Sequence, residues 1–156
     1  MSLLTPMLRS SPLTDWFSDA QRVQGMLDFE AALAQAQAAC GMVPPEAVGP
    51  IVAACRHEAI DFAALGEAAV GAGNLAIPLV KQLTAQVKTR DPEAARYVHW
   101  GATSQDAIDT GLVLQLRGAL DAAETLLEQL LAALALQADR YRDTVMPGRT
   151  WMQHAL

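Results

Sequence analysis

The sequence of 156 residues predicts an all-α fold, and three observations carry that expectation. Over half of the residues (52%) are hydrophobic, with alanine and leucine dominant and only 5% aromatic, the balance of a helix-rich protein rather than a β-sandwich. The segment from Asp106 to about Arg142 contains no proline, and its apolar residues step by threes and fours. The preceding hundred or so residues break into shorter periodic stretches bounded by capping residues, glycines and prolines. The expected organisation is an N-terminal helical domain over residues 1–101, followed over 102–156 by the start of a central bundle of long helices.

The first predicted helix runs from about Ser18 to Cys40. Asp19 and Gln21 sit in its first turn, Met26, Phe29, Leu33 and Ala36 recur at helical spacing, and Gly41 with Pro44-Pro45 ends it. A short helix from Pro45 to Arg56 follows, proline being tolerated in a first turn. Asp61 caps a third helix to about Ala69. Gly71-Ala72-Gly73-Asn74 reads as a loop, Ile77 to Thr89 as a fourth helix, and Asp91-Pro92 as the next turn.

The last helix is the longest, roughly 55–60 Å at 1.5 Å per residue. Leu112, Leu116, Leu120, Ala123, Leu127, Leu130, Leu134 and Ala138 form one stripe along it. A domain of this size cannot cover that stripe alone. The helix is therefore expected to pack with later parts of the chain or with other subunits. Leu126, Leu131 and Leu136 fall outside the stripe and point to contacts on more than one face.

The net charge of −6 argues against nucleic acid and anionic membrane surfaces as partners. It does not exclude an anionic substrate, because a local cluster of cations and helix ends outweighs the net field. No run approaches the ~20 apolar residues of a membrane span, and the N-terminus lacks a signal-peptide pattern. Cys40 and Cys55 form no CxxC pair and read as reduced thiols of a cytoplasmic protein, although their number alone leaves a disulfide open. The chain stops at Gln153-His154-Ala155-Leu156, directly after a motif-like segment and without a polar tail. It is expected to be the N-terminal piece of a longer protein.

Two runs carry the functional signal. His99-Trp100-Gly101-Ala102-Thr103-Ser104-Gln105-Asp106 opens the long helix, and Gly148-Arg149-Thr150-Trp151-Met152-Gln153-His154 lies just past its far end. Two hydroxyls beside the unpaired N–H groups and positive dipole of a helix start suit a carboxylate or phosphate. The plain alternative is a capping box, with Thr103 as the cap and Asp106 in the acidic position. His99 is a candidate donor beside Gly101, against the ordinary reading of a structural histidine. Asp106 and Asp109 favour the dipole. Arg149 is a residue type whose fork pairs with carboxylates, and histidine, as at His154, is a residue type that transfers protons near neutral pH. Asn74 and Lys81 are further anion candidates, Lys81 being readily explained as a solvated surface residue. No metal-ligand spacing, phosphate loop or nucleophile elbow is present.

The Gly-Ala-Thr-Ser-Gln-Asp and Gly-Arg-Thr-x-x-Gln runs, separated by one long helix, resemble the fumarase/aspartase superfamily. Together with Gly73-Asn74-Leu75-Ala76-Ile77-Pro78 they look most like its cycloisomerase branch. The resemblance implies a homotetramer with sites assembled from three subunits. It also implies a small tricarboxylate substrate, no cofactor, and an intramolecular addition of a carboxylate oxygen across a carbon–carbon double bond. It suggests that Thr103 and Ser104 hold a substrate carboxylate, with His99, Asn74, Arg149 and Trp151 around the same anionic site. The family's serine-bearing loop would lie beyond Leu156, so this segment alone is expected to lack activity. Many lyases of the superfamily place histidine after Gly-Arg-Thr, where this chain has Trp151. His154, three residues later, is then the candidate for proton transfer. Two alternatives stand beside this reading: an adenylosuccinate lyase-like enzyme, and a non-catalytic helical oligomerisation module.

Overall fold

A computed structural model describes the backbone of residues 11–147 and 154–155 and the side chains of residues 11–145. Five α-helices account for most of it: α1 (Asp19–Ala39), α2 (Pro45–Ala54), α3 (Phe62–Ala72), α4 (Ala76–Arg90) and α5 (Ser104–Arg140). The expected all-α class is observed, and a two-residue antiparallel ladder, Met146–Pro147 against His154–Ala155, is the one departure among the described residues.

Each helix begins where side-chain chemistry satisfies its first N–H groups. Ser18 Oγ accepts from Gln21 N at 3.3 Å at the start of α1. Pro45 at the first position of α2 has no N–H to satisfy. Asp61 Oδ1 accepts from Ala64 N at 3.0 Å before α3, and Asn74 Oδ1 from Ile77 N at 3.1 Å before α4. Most boundaries fall within one or two residues of the sequence expectation. α2 stops at Ala54 rather than Arg56, and α3 runs on to Ala72, through the stretch expected to be a loop, and ends at Gly73 with φ +76°.

α1 packs on α2, α2 on α4, and α3 on α4. Leu27, Ile51, Leu79, Leu83, Val43 and Val87 are the largest fully buried side chains. The buried face of α1 overlaps the expected Met26-Phe29-Leu33-Ala36 row only in part: Met26 is buried, and Phe29 and Leu33 are half-buried. It consists of Val23, Gly25, Met26, Leu27, Glu30, Ala34 and Gln37, while Ala36 is exposed. Two polar residues occupy core positions because distant backbone and side-chain partners meet them there.

α1 and α5 approach each other through glycines. A Cβ added to Gly25 would lie 2.9 Å from Gly111 O, and one added to Gly111 would lie 3.0 Å from Met26 N. Only hydrogen in place of a side chain permits that separation. One further contact follows along α5: the Trp16 ring lies where a Gly118 side chain would sit, and Gln115 Nε2 donates to Trp16 O at 2.7 Å. The covered face of α5 is thus Ala107, Gly111, Gln115 and Ala119. The leucine stripe read from the sequence lies elsewhere on the helix: Leu112, Leu116, Leu120, Leu127, Leu130 and Leu134 are all exposed.

The chain divides into two compact units, Met1–Ala119 and Leu120–Leu156. The expected division at residues 101/102 follows the start of α5, whereas packing divides within that helix, after its last buried residue. In the second unit, the α5 residues from Leu120 onward have no buried member.

Candidate functional site

The segment between α4 and α5 is built to present a helix start. Asp91 Oδ1 accepts from Glu93 N and Ala94 N at 2.9 and 3.0 Å, starting a 3-10 turn over Ala94–Tyr97. The backbone then turns sharply: His99 has φ +56° and Gly101 φ +68°. Glycine adopts that region freely, whereas at His99 it costs on the order of 1 kcal/mol and persists only where surroundings enforce it.

The enforcing groups come from α1. Glu30 Oε1 lies 2.6 Å from His99 Nδ1, and Gln37 Nε2 donates to Trp100 O at 2.6 Å. Glu30 is 2% exposed, and its second oxygen, like Gln37 Oε1, has no hydrogen-bond partner. Burial pushes the Glu30 carboxyl above its ordinary range, and the neighbouring His99 partly opposes that rise. Trp100 remains half exposed, its ring tilted against Tyr97 at 5.9 Å.

Thr103 closes a reciprocal cap. Its N–H donates to Asp106 Oδ2 at 2.8 Å and its hydroxyl donates to the same oxygen at 2.9 Å, while Asp106 N reaches Thr103 Oγ1 at 3.4 Å. These bonds hold the Asp106 carboxyl below its usual range. Asp109 accepts from Gln105 Nε2 one turn on. Both the Thr103 hydroxyl and the Thr103 N–H are therefore engaged within the cap. The N–H groups of Ser104 and Gln105, in the first turn, have no intrahelical partner. They and the partly exposed Ser104 hydroxyl are the groups at this end open to an anion.

One turn along α5 from Ser104, Ile108 enters the wall of a cleft of about 490 Å³. Leu112, Met26 and Leu75 add apolar lining, and Arg22, Asn74 and Gln115 add the polar groups. An apolar cleft with a few convergent polar groups is the common form of a small-molecule site. The structure thus brings Asn74 into a cleft bordered by the first turns of α5. Lys81 is exposed on α4 and does not line it.

Arg22 is the residue that sequence reasoning missed. It is the single cation of α1, and among the described residues no carboxylate pairs with it. That isolation, on a helix otherwise bearing only acids and amides, was the available signal. Arg149 and Trp151 lie outside the described residues. His154 is placed by its backbone alone, opposite Pro147 in the short ladder.

Among the described residues, no group of three His, Cys, Asp or Glu side chains could hold a metal ion, and no helix is long and apolar enough to cross a membrane. Cys40 is exposed, and Cys55 is a buried free thiol that burial and the nearby Glu30 and Asp28 charges push up to about 12.

Residues 8–156 match the model of a family described as lyase. The chain is 56% identical over 154 residues, 99% of its length, to 3-carboxy-cis,cis-muconate cycloisomerase of Bradyrhizobium diazoefficiens, covering 34% of that protein. It is 60% identical over 146 residues, 94% of its length, to the enzyme of the same name from Pseudomonas aeruginosa, covering 32% of it. The crystal structure of 3-carboxy-cis,cis-muconate lactonizing enzyme from Pseudomonas putida superposes with a TM-score of 0.92 at 55% identity, over 99% of this chain and 35% of that one. The chain spans about a third of the length of the relatives it matches.

Proposed function

The chain belongs to the lyase family, and from that premise we propose that the protein carrying it converts 3-carboxy-cis,cis-muconate to 4-carboxymuconolactone, a step of protocatechuate catabolism. The reading draws on the likeness to enzymes of that name. One geometric observation carries it: the N-terminus of α5, with the Ser104 hydroxyl and the first-turn N–H groups that have no intrahelical partner, one turn from a cleft lined by Arg22, which pairs with no carboxylate among the described residues.

The substrate carries three carboxylates, and the chain is itself net negative. Binding therefore requires a local excess of positive charge. The helix start favours an anion by about 0.3–1 kcal/mol, up to ~2 when partly buried. Arg22 and Asn74 line the cleft, and His99, Arg149 and Trp151 are the candidates we assign to the further contacts with the substrate. Thr103 contributes by fixing the cap that orients Ser104. A carboxylate oxygen of the substrate attacks a carbon of its own double bond, forming the lactone C–O bond. The electron pair moves to the carbon next to a second carboxylate, which spreads the charge as an aci-carboxylate. A proton delivered to that carbon completes the addition, and His154 is the residue of this segment assigned to proton transfer. Donors already aimed at the developing charge supply the main rate term. The chemistry calls for no cofactor.

The exposed leucines of α5, from Leu120 to Leu136, support a homotetramer in which residues 102–156 begin a bundle shared between subunits. The protein is read as cytoplasmic. Loss of 3-carboxy-cis,cis-muconate ultraviolet absorbance, followed for the full-length protein and its Ser104→Ala variant, tests the proposal. Turnover that collapses in the variant supports it. A parent inactive on this substrate but active on fumarate or adenylosuccinate overturns the substrate assignment.

A further inference from the structure

We propose that Glu30 is a positioning residue for His99, holding the imidazole so that Nε2 presents a proton to a substrate carboxylate beside the start of α5. The inference rests on the reading of that helix start as a carboxylate site.

The geometry is specific. Glu30 is buried on α1, and its Oε1 lies 2.6 Å from His99 Nδ1, 69 residues away in sequence. The His99 side chain is 17% exposed, and its Nε2 has no hydrogen-bond partner among the described residues. His99 lies four residues before Thr103, so its ring is carried by the short loop that opens α5. Gln37 fixes the next carbonyl, so the ring enters the site from a backbone held at both His99 and Trp100.

Proton counting gives the consequence. With one proton in the Nδ1–Oε1 bridge and one on Nε2, the pair is either imidazolium with carboxylate or neutral imidazole with carboxylic acid. A shift of the bridging proton interconverts the two. Nε2 remains a donor in both. Loss of one proton from the pair leaves Nδ1–H bonded to the carboxylate and a lone pair on Nε2, which repels an anion. Burial of Glu30, by disfavouring its bare charge, works against that loss. An amide at position 30 removes the safeguard: its carbonyl oxygen accepts from Nδ1–H, and neutral His99 then offers only the Nε2 lone pair. The titratable groups that interact electrostatically with the pair are Asp106 on α5 and Cys55 at the end of α2.

Nitrogen-15 NMR of histidine-labelled full-length protein reads the Nε2 state at pH 7 without reference to turnover. The wild type is expected to carry a proton on Nε2, and Glu30→Gln to lack it. In turnover assays the KM of Glu30→Gln should rise on the order of tenfold, the loss of a charge-assisted hydrogen bond, with kcat changed much less. Glu30→Asp retains the charge across a longer gap. It should recover part of the KM and keep Nε2 protonated over a narrower pH range, and it serves where Glu30→Gln fails to fold. Unchanged Nε2 protonation in both variants overturns the proposal. So does a variant that loses thermal stability with no change in KM or in the pH profile of kcat/KM. If the wild type turns over no muconate, binding of propane-1,2,3-tricarboxylate, read on the same His99 resonance, decides the inference separately: a perturbation lost in Glu30→Gln supports it, and none in the wild type overturns it.

Discussion

Replacing Gly111 by alanine sets two opposed effects against each other. At an open position inside a helix, glycine to alanine stabilises by about 0.5–1 kcal/mol, because it restricts the unfolded chain. At Gly111 the new Cβ would lie 3.0 Å from Met26 N, 3.1 Å from Met26 Cγ and 3.2 Å from Gly25 C. The Met26 side chain can swing aside, but the other two atoms belong to the backbone of α1. Carbon contacts are comfortable at about 3.5–4.0 Å, so the helices must part by roughly 0.5 Å, enough to forfeit about a quarter of the dispersion well for each pair at the crossing. Overpacking of this kind costs about 1–3 kcal/mol, giving a net loss of about 0.5–2 kcal/mol. Gly66, inside α3, supplies the control, since a Cβ there meets nothing within 4 Å. Urea denaturation followed by far-ultraviolet circular dichroism should move the midpoint down for Gly111→Ala and up for Gly66→Ala. Equal stabilisation by both would refute the reasoning, because it would mean that the α1–α5 crossing has slack.

Other outcomes follow from the same structure. Thr103→Ala should lose about 1 kcal/mol of stability through the broken cap, measured by the same denaturation. The lowered Asp106 carboxyl contributes stability that is present above its unfolded pKa near 4 and lost as pH falls through the folded value. The stability gap between wild type and Asp106→Asn should therefore close between about pH 5 and pH 2, and a gap that persists at pH 2 would exclude the carboxylate as its source. Iodoacetamide should alkylate exposed Cys40 in the native protein and reach Cys55, whose thiol burial pushes up to about 12, only after unfolding, as read by peptide mass spectrometry. Glutamates at Leu127 and Leu134 should lower the oligomer mass measured by light scattering, since both leucines are exposed on one face of α5.

The helix boundaries were legible because their causes are local. Ser18, Pro45, Asp61 and the Thr103/Asp106 pair each act within three residues of the helix end they define. The length of α5 was legible from the absence of proline, and the exposure of its leucine stripe fits a helix that no single domain of this size covers. What escaped the sequence depends on partners far along the chain. Nothing near Glu30 or Gln37 announces that His99 and Trp100 will meet them 69 and 63 residues later. The hydrophobic period of α1 found Met26 and Phe29 but not the polar core positions Glu30 and Gln37, and it included Ala36, which is exposed. The role of Gly111 likewise depends on Gly25, which lies 86 residues earlier in the chain. At the site, the Thr103–Ser104 helix start was legible, whereas Arg22 required the cleft to give it meaning.

Three contacts that α1 makes with α5 and the loop before it are spaced along its axis. Gly25 meets Gly111, Glu30 meets His99 and Gln37 meets Trp100. At 1.5 Å per residue they span about 18 Å. An axial slip of α1 by one residue would break all three together: one through a backbone clash, one by stranding a buried carboxyl, one by stranding a carbonyl. The helix therefore works as a ruler with three marks, and the loop that opens α5 inherits its position from a segment that contributes little more than one arginine to the cleft's chemistry. Sequence drift on the solvent face of α1 is tolerable under that arrangement, whereas an insertion or deletion between Gly25 and Gln37 displaces the loop that opens α5 as a unit.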